Sequence, residues 1–291
     1  MIRVAVIGST GQLGSDLVEL LGKTGDYQVF PLSHQKIECT DSDSVRRALN
    51  EVSPGIVINC AAFVRVDESE DRPEEAFRVN TLGALCVARA CAEIGAVCAY
   101  ISTDYVFAGE KREPYTEEDM PCPRNIYGAS KLAGEYLVQQ ACPRWLIVRV
   151  ASLFGKAGAR GKGGNFIETI LAKAKAGETL RVADDILMSP TYTCDAAVAL
   201  ERLLSRGILG LFHIANKGAC TWFEFARKVL DLTGLEVKVE PIAFAGFHLK
   251  ASRPVNSALA TAKLDHLSEG NLRPWHEALK VYLVEKGHIP V

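Results

Sequence analysis

The chain has 291 residues, of which 48% are apolar, and a formal net charge of −2 at pH 7. This length fits two domains, or one α/β unit with an appended lobe. No basic excess is available to neutralise phosphates, so the composition argues against a nucleic-acid-binding protein. No run of about 18 apolar residues occurs, so we predict no membrane span.

The chain contains nine cysteines, an odd number, and no two of them form a CxxC pair. Several lie inside apolar runs, where free cysteine behaves as a small hydrophobe. This usage predicts a protein of the reducing cytoplasm rather than a secreted one. No residues have the spacing of zinc ligands, so we predict no metal site. The sequence favours neither the presence nor the absence of a Mg²⁺ requirement.

Apolar, strand-like runs alternate with helical patterns through residues 1–154. Strands are predicted at residues 3–7, 27–32, 55–59, 96–102 and 145–150, and helices at residues 12–24, 43–52, 80–94 and 127–141. Such alternation, with strands that are apolar throughout, is typical of a parallel sheet covered by helices on both faces. The predicted fold class is therefore α/β, a Rossmann-type doubly wound parallel sheet.

The pattern changes after residue 154. Helices are predicted at residues 166–175, 194–206 and 221–233, and strands at 180–183 and 210–214, of which the second could rejoin the sheet. Residues 155–164 form a glycine-rich basic loop that either closes over a ligand or is a solvated connection. We predict a dinucleotide-binding domain at residues 1–154 plus about 184–216, and a smaller C-terminal substrate-binding lobe at about 155–183 plus 217–291.

A glycine-rich segment, Gly8-Ser9-Thr10-Gly11-Gln12-Leu13-Gly14, follows the first predicted strand and opens the first predicted helix. Glycines at this spacing let the backbone turn tightly and approach a pyrophosphate, and the helix N-terminus offers free N–H groups. The strand-then-helix context supports a dinucleotide site more strongly than the motif alone does. The alternative is an ordinary tight βα turn.

The end of the second predicted strand is where this kind of fold selects its cofactor. A carboxylate there would hold the ribose 2′-hydroxyl of NAD, but the segment reads Pro31-Leu32-Ser33-His34-Gln35-Lys36. This favours NADPH, with Ser33, His34 or Lys36 near the 2′-phosphate, while NADH stays open as an alternative. For His34 and Lys36 the alternative is a solvated loop.

Tyr127 and Lys131 form a YxxxK motif on a predicted helix, where positions i and i+4 share a face. We expect the ammonium to lower the phenol pKa from about 10, so that the tyrosine can exchange a proton near neutral pH. Thr103 follows the fourth predicted strand, at the edge where open α/β sheets bind ligands. The three residues predict reduction of a ketone with Tyr127 as proton donor. The alternative is a buried tyrosine on an amphipathic helix.

Residues 102–135, STDYVFAGEKREPYTEEDMPCPRNIYGASKLAGE, resemble the active-site stretch of the dTDP-4-dehydrorhamnose reductase family, whose members are extended short-chain dehydrogenases/reductases. The resemblance extends over nearly the whole chain. Further segments that carry it are NCAAFVRVD at 59–67, NF at 165–166, PTY at 190–192, GLFH at 210–213, WFEFA at 222–226, RPVNSAL at 253–259 and Trp275.

The resemblance implies NADPH- or NADH-dependent reduction of the 4-keto group of dTDP-6-deoxy-L-lyxo-4-hexulose to dTDP-L-rhamnose, and it is compatible with a homodimer. It implies that Thr103, Tyr127 and Lys131 are catalytic. The full set of predicted cofactor-binding residues, Ser33 and His34 included, is Gly8, Thr10, Gly11, Gln12, Leu13, Ser33, His34, Glu38, Cys39, Ala61, Ala62, Tyr127 and Lys131. The residues implied to bind the sugar nucleotide are Asp104, Tyr105, Asn165 and Arg253.

Three positions depart from the family pattern. Ser152 stands where the family usually has a tryptophan that borders the sugar, and Val64 stands where it has a threonine. Glu38 stands where it has an aspartate near the adenine. These departures alter the predicted sugar pocket, so the identity of the 4-keto sugar stays open.

Two other functions are compatible with the predicted fold. A sugar-nucleotide epimerase or dehydratase would retain NAD, but dehydratases often have an Asp-Glu pair where this chain has Asp104 and Tyr105. A non-catalytic NADP-binding regulatory subunit, like the β subunit of methionine adenosyltransferase, would not need the Tyr127–Lys131 pair. For Arg253 the alternative to a diphosphate contact is a surface salt bridge, and for Asp104 it is a strand-end cap.

Overall fold

The computed structural model describes residues 1–158, 164–267 and 272–290. The strands are β1 (Ile2–Ile7), β2 (Tyr27–Leu32), β3 (Ile56–Asn59), β4 (Val97–Thr103), β5 (Trp145–Val150), β6 (Leu153–Phe154), β7 (Leu180–Ala183), β8 (Leu187–Met188), β9 (Thr191–Tyr192), β10 (Gly210–Ile214), β11 (Cys220–Thr221) and β12 (Val239–Ile242). The α-helices are α1 (Gln12–Lys23), α2 (Ser42–Val52), α3 (Val66–Asp71), α4 (Pro73–Phe77), α5 (Gly83–Glu93), α6 (Ile126–Ala141), α7 (Phe166–Lys175), α8 (Thr193–Ser205), α9 (Trp222–Thr233), α10 (Ala262–Leu267) and α11 (Trp275–Glu285).

Within the described ranges, six strands form one sheet in the order β10-β5-β4-β3-β1-β2, and all neighbours run parallel. β10 rejoins the sheet, which the sequence left open, and stands at its edge. From β1 the chain builds the sheet first towards β2 and then, through β3, in the opposite direction. The carboxyl edge between β1 and β3 is therefore the topological switch point, where such sheets bind ligands. The predicted Rossmann-type α/β fold is confirmed.

Each face of the sheet has its own apolar core. One core packs the sheet against α1 and α8, with Leu17 and Leu200 buried at its centre. The other packs it against α2, α5 and α6 through Leu49, Val87 and Val138. The strands are apolar throughout because helices cover both faces.

A third core lies among α7, α9 and α11. Its centre is aromatic: the ring centroid of Phe154 lies 5.4 Å from that of Tyr192 and 5.5 Å from that of Tyr282. α9 begins at a capping box, in which Thr221 and Glu224 each accept a hydrogen bond from the other's backbone N–H. The division into two domains stays a prediction, and a separate core is what a second lobe requires.

The helix predicted at residues 80–94 is the end of a longer helical run. That run begins at α4, passes through a π-helical turn at Arg78–Leu82 and ends with α5. The sequence prediction also omitted α3, α10 and α11. The predicted basic loop lies in part at residues 159–163, outside the described residues. No helix in the described ranges is both long and apolar enough to cross a membrane.

Candidate active site

The turn between β1 and α1 is packed too closely for a side chain at two of its glycines. Gly8 has a φ of +74°, and a Cβ there would lie 2.9 Å from the backbone nitrogen of Ala61. A Cβ on Gly14 would lie 2.3 Å from the carbonyl oxygen of Gly8. The first turn of α1 is therefore pressed against the end of β1, and its N-terminus lies at the carboxyl edge of the sheet.

The N-terminus of α1 suits an anion. Gly11 occupies the N-cap, and among the described residues no side chain caps the helix or places a negative charge in its first turn. Its free N–H groups and its dipole fit a pyrophosphate. Thr10 is exposed, and Leu13 is buried in the core. Gln12 has a buried Oε1 with no hydrogen-bond partner in the described structure, which fits a ligand that donates a hydrogen bond, as a ribose does.

The segment after β2 contains the residues predicted near the adenosine 2′ position. His34 is exposed, with its Nδ1 3.7 Å from Oε2 of Glu38, and Ser33 is half-buried. The carboxylate of Glu38 accepts hydrogen bonds from the N–H and the hydroxyl of Thr40, which hold its pKa below the usual range. Cys39 is buried in a sheet-face core, so its thiol faces the protein interior.

The end of β3 meets the glycine turn across the switch point. The side-chain oxygen of Asn59 accepts a hydrogen bond from the N–H of Ala61 at 3.1 Å, and this turn places Ala61 against Gly8. Ala62 and Cys60 are half-buried beside it. The structure thus brings together two sets of predicted cofactor residues that lie about fifty positions apart in the sequence.

Thr103 ends β4, and Tyr127 lies in the first turn of α6. Asn125 caps that helix by accepting a hydrogen bond from the N–H of Gly128 at 2.8 Å. A Cβ on Gly128 would lie 2.1 Å from the carbonyl oxygen of Tyr105, so glycine permits the close approach of the helix. This approach places the phenol of Tyr127 beside the side chain of Thr103, with which it forms a hydrogen bond.

The phenol of Tyr127 keeps its proton through the neutral range. Burial raises its pKa to about 12, the hydrogen bond with Thr103 acts in the opposite direction, and the charge of Asp104 raises the pKa further. We expected the pKa of this phenol to lie below about 10, but in this structure it lies above, because burial outweighs the hydrogen bond that favours the phenolate. A protonated phenol suits a group that donates a proton to a developing alkoxide.

Lys131 is buried with 1% of its surface exposed. Its Nζ lies 3.9 Å from the ring centroid of Tyr100 and has no hydrogen-bond partner among the described residues. Burial lowers its pKa to about 7, while the negative charges of Glu135 and, when ionised, Cys60 raise it. An ammonium held over an aromatic ring with its N–H donors unused fits a ribose with two hydroxyl groups.

Asp104 is buried directly after Thr103. The hydroxyl of Thr103 donates to Oδ1 of Asp104 at 2.9 Å and accepts from the N–H of Tyr105, so Thr103 rather than Asp104 caps the turn at the strand end. Burial raises the pKa of Asp104 to about 6, opposed by hydrogen bonds from Ser257 and Thr103. Oδ2 has no hydrogen-bond partner in the described ranges and can accept from a substrate hydroxyl.

Arg253 lies beside the site and is already engaged in a salt bridge. Its guanidinium donates to both carboxylate oxygens of Asp67 at 3.0 and 2.6 Å, and to the carbonyl of Ala251 at 2.7 Å. Only 11% of the Arg253 side chain is exposed, so this is not the surface salt bridge that we considered as the alternative. Arg253 also contacts Tyr105, whose ring meets that of Tyr127 edge-on at 6.0 Å.

Asn165 uses its polar atoms within the third core. Asn165 caps α7, because its Oδ1 accepts a hydrogen bond from the N–H of Glu168. Its Nδ2 donates to the hydroxyl of Tyr282 at 2.9 Å and to the carbonyl of Gly155 at 3.3 Å. In this structure Asn165 therefore positions α7 instead of joining the cluster around Tyr127.

Trp222 and His213 lie within packed cores. The ring of Trp222 lies 4.7 Å from that of Phe166 in the third core, and His213 is fully buried in β10. The two departures in the sugar region lie in connections that leave the sheet. Val64 is half-buried between β3 and α3, and Ser152 follows β5 with a φ of 41°, in the left-handed region.

Sequence reasoning missed the residues that support the catalytic cluster from behind. Tyr100 lies under Lys131, and Ser257 bonds Asp104. Glu135 and Arg149 form a buried ion pair. One signal was available: a charged residue inside an apolar strand, such as Arg149, is rarely buried without a partner.

The arrangement of these elements defines a class of protein. The glycine turn follows β1 at the switch point, the threonine ends β4, and the tyrosine and lysine lie on α6. This arrangement is typical of oxidoreductases of the short-chain dehydrogenase/reductase type. The family model described as RmlD substrate binding domain matches residues 2–287. The chain belongs to this family.

Individual relatives agree with the family match. The chain is 38% identical over 288 residues to the spore coat polysaccharide biosynthesis protein SpsK of Bacillus subtilis, with 98% of each chain covered. It is 35% identical over 281 residues to dTDP-4-dehydrorhamnose reductase of Mycolicibacterium smegmatis, covering 96% of this chain and 84% of that protein. The solved structure of dTDP-4-dehydrorhamnose reductase from Bacillus anthracis in complex with NADP matches with a TM-score of 0.93 and 36% identity, over 98% of this chain and 99% of that chain.

Proposed function

We propose that the chain is an NADPH-dependent reductase of a nucleotide-linked 4-keto-6-deoxy sugar, and that this sugar is dTDP-4-dehydrorhamnose, reduced to dTDP-L-rhamnose. The observation that carries the proposal is the placement of Thr103, Tyr127 and Lys131 at the carboxyl edge of the sheet that also holds the glycine turn. The activity printed for the relative from Mycolicibacterium smegmatis supports it.

The residues of the chain divide the reaction between them. The dinucleotide, when bound, supplies the hydride. The glycine turn and the N-terminus of α1 would hold its pyrophosphate, and Lys131 its nicotinamide ribose. Thr103 donates a hydrogen bond to the ketone oxygen, and Tyr127 gives its proton to that oxygen as negative charge develops there. Lys131 then stabilises the phenolate that Tyr127 becomes.

The substrate would lie on the side of Thr103 and Tyr127 that faces away from the cofactor. Asp104 offers an unused carboxylate oxygen, and Tyr105 and Arg253 border the same wall. A guanidinium next to a phenol suits the diphosphate of a sugar nucleotide. Ser152 is smaller than the tryptophan usual in the family, so the sugar itself has to be identified by experiment.

The direct test is NADPH oxidation by the purified chain with a panel of 4-keto nucleotide sugars that includes dTDP-4-dehydrorhamnose. Oxidation of one NADPH for each sugar reduced supports the proposal. Tightly co-purifying NAD, with interconversion of a sugar nucleotide and no net oxidation, would identify an epimerase. Reversible NADPH binding without turnover of any sugar would identify a non-catalytic role.

Cofactor preference is tested by comparing NADPH with NADH at equal concentration. Ser33 and exposed His34 follow β2 where an NAD-binding protein would have a carboxylate, and Glu38 is engaged with Thr40. We expect NADPH to give the higher kcat/KM. A clear preference for NADH would contradict the argument from Ser33 and His34.

Replacing Tyr127 tests the proton donor. We expect Tyr127→Phe to reduce kcat by about 10²- to 10⁴-fold, because general acid catalysis is lost, and to leave NADPH affinity nearly unchanged. The matched control is Tyr136→Phe on the same helix, whose residue is 52% exposed and should retain full activity. NADPH titration and steady-state kinetics measure the two quantities. Near-normal turnover in Tyr127→Phe would show that the proton comes from elsewhere.

A further inference from the structure

A buried ion pair lies one helical turn beyond Lys131. Glu135 of α6 has 1% of its surface exposed, and Arg149 of β5 has 3%. The guanidinium donates from Nε to Oε1 at 2.9 Å and from Nη2 to Oε2 at 2.7 Å. The hydroxyl of Ser102 in β4 donates to Oε1 as well. We call Ser102, Glu135 and Arg149 the buried triad.

The buried triad connects the elements that carry the catalytic residues. Ser102 and Arg149 stand opposite each other in the β4–β5 register, and Ser102 directly precedes Thr103. Glu135 follows Tyr127 and Lys131 on α6. Burying two charges costs free energy, and apolar side chains at the same positions would not carry this cost. Stability alone is therefore a weak explanation for an ion pair here. The position of the ion pair near Lys131 is a stronger explanation.

Lys131 depends on nearby negative charge to stay protonated. Its Nζ has no hydrogen-bond partner in the described part of the chain, and burial disfavours its charged form. The titratable groups around it, taken from each packed element, are Cys60 after β3, Tyr100 in β4, Tyr127 and Glu135 in α6, and Arg149 in β5. Of the two acidic groups that favour the ammonium, Cys60 is a neutral thiol near pH 7, since burial raises its pKa to about 12. Glu135 is then the source of the negative charge.

We propose that Glu135 is a positioning residue of the reductase, whose carboxylate, fixed by Arg149 and Ser102, keeps the Lys131 side chain charged beside Tyr127. The role of Lys131 in this inference rests on the proposed function. The pairing with Arg149 does not cancel the effect, because Glu135 follows Lys131 by four residues on the same face of α6 and its negative charge still favours the ammonium.

The test measures the protonation of Lys131 without any substrate. Lysine labelled with ¹³C at Cε is incorporated into the full chain, the Lys131 signal is assigned by its loss in Lys131→Met, and its chemical shift is followed against pH. We expect the midpoint in Glu135→Gln to lie at a pH lower by about one or more than in the wild type. A midpoint that does not move would overturn the proposal.

Two further variants separate charge from folding. Ser102→Ala keeps both charges and removes one hydrogen bond, so we expect a lower Tm and an unchanged Lys131 midpoint. Glu135→Gln alone leaves Arg149 buried without its partner and can fail to fold. The double variant Glu135→Gln/Arg149→Gln removes both charges and should still show the lower midpoint. An unchanged midpoint in a folded double variant would contradict the proposal.

The pH dependence of kcat/KM is a second measurement, independent of the Lys131 titration. Activity requires charged Lys131, so it is lost as pH rises through the Lys131 pKa, and the alkaline limb of kcat/KM should move to lower pH in Glu135→Gln. If the limb stays in place while turnover falls, the buried triad is only structural. If no sugar is reduced by the wild type, the proposed function fails, whereas the midpoint measurement still decides the effect of Glu135 on Lys131.

Discussion

The guanidinium of Arg253 organises the side of the site next to Tyr105. It holds both oxygens of Asp67 on α3 and the carbonyl of Ala251, and Asp67 accepts a further hydrogen bond from the N–H of Ala251. These contacts join the segment around residue 253 to the helix that follows β3. Because the planar fork of arginine makes several of them at once, its shape matters as much as its charge.

Arg253→Lys is therefore expected to weaken substrate binding although the charge is kept. We expect the KM for the nucleotide sugar to rise by about tenfold, with a small change in kcat and in NADPH affinity. Arg46→Lys is the control, since Arg46 makes a similar fork with Glu93 on an exposed surface and should change neither constant. Steady-state kinetics at saturating NADPH measure both variants. An unchanged KM in Arg253→Lys would remove Arg253 from the predicted substrate site.

For single residues, the sequence could predict those that are close to one another in the chain or that stand at the end of a strand. Tyr127 and Lys131 share a helix face, and Thr103 ends a recognisable strand, so their approach follows from the fold class. Tyr100 and the Glu135–Arg149 pair could not be predicted. Their contacts depend on how β4, β5 and α6 are aligned in space, and nothing in the local pattern specifies which buried acid meets which buried base.

Among the elements, the β1–α1 turn has the tightest requirement. Its shape depends on the contact between Gly14 and the carbonyl of Gly8, where a Cβ would come within 2.3 Å of backbone. Backbone atoms cannot move aside as a flexible side chain can. The turn and the helix N-terminus it positions should therefore be sensitive to a single added methyl group.

Gly14→Ala tests this requirement. We expect the variant to lose about 1–3 kcal/mol of unfolding free energy through overpacking, and to bind NADPH at least about tenfold more weakly because the α1 N-terminus is displaced. The control is Gly22→Ala in the same helix, where an added Cβ meets nothing within 4 Å. That change should stabilise the helix by about 0.5–1 kcal/mol and leave NADPH binding unchanged. Equal behaviour of the two variants would contradict the steric requirement of the β1–α1 turn.

Helices with strong end signals could be predicted well, and helices shaped by tertiary contacts could not. α9 begins where the Thr221–Glu224 capping box predicts. The π-helical turn at Arg78–Leu82 has no such signal. Its Asn80 bonds the backbone of Phe63 and the hydroxyl of Ser130, and a side chain used in this way to join three segments accompanies an irregular turn.

At the scale of the whole molecule, the edge strand β10 connects the sheet to other parts of the chain. The ring of His213 in this strand is fully buried, with its Nδ1 3.1 Å from the carbonyl oxygen of Tyr115 and 3.2 Å from that of Ala260. The backbone N–H of His213 donates to the carboxylate of Glu117. The histidine therefore joins the sheet to two segments far apart in the sequence, and its protonation state affects the stability of the whole fold.

Burial lowers the pKa of His213 from about 6.5 to about 3, and the charge of Arg149 acts in the same direction. Between these values the unfolded chain binds a proton that the folded chain does not, so this contribution is full above pH 6.5 and is lost as pH falls towards 3. At about pH 5 the loss is about 2 kcal/mol of unfolding free energy.

Urea denaturation of the wild type and His213→Gln at about pH 7.5 and pH 5 measures this loss. The decrease on acidification should be smaller by about 2 kcal/mol in His213→Gln, whereas His266→Gln, at an exposed position, should behave as the wild type. Buried Asp104, whose raised pKa has the opposite effect, is common to all three chains and cancels in the comparison. Equal decreases in the wild type and His213→Gln would mean that His213 accepts a proton in the folded state as readily as in the unfolded chain.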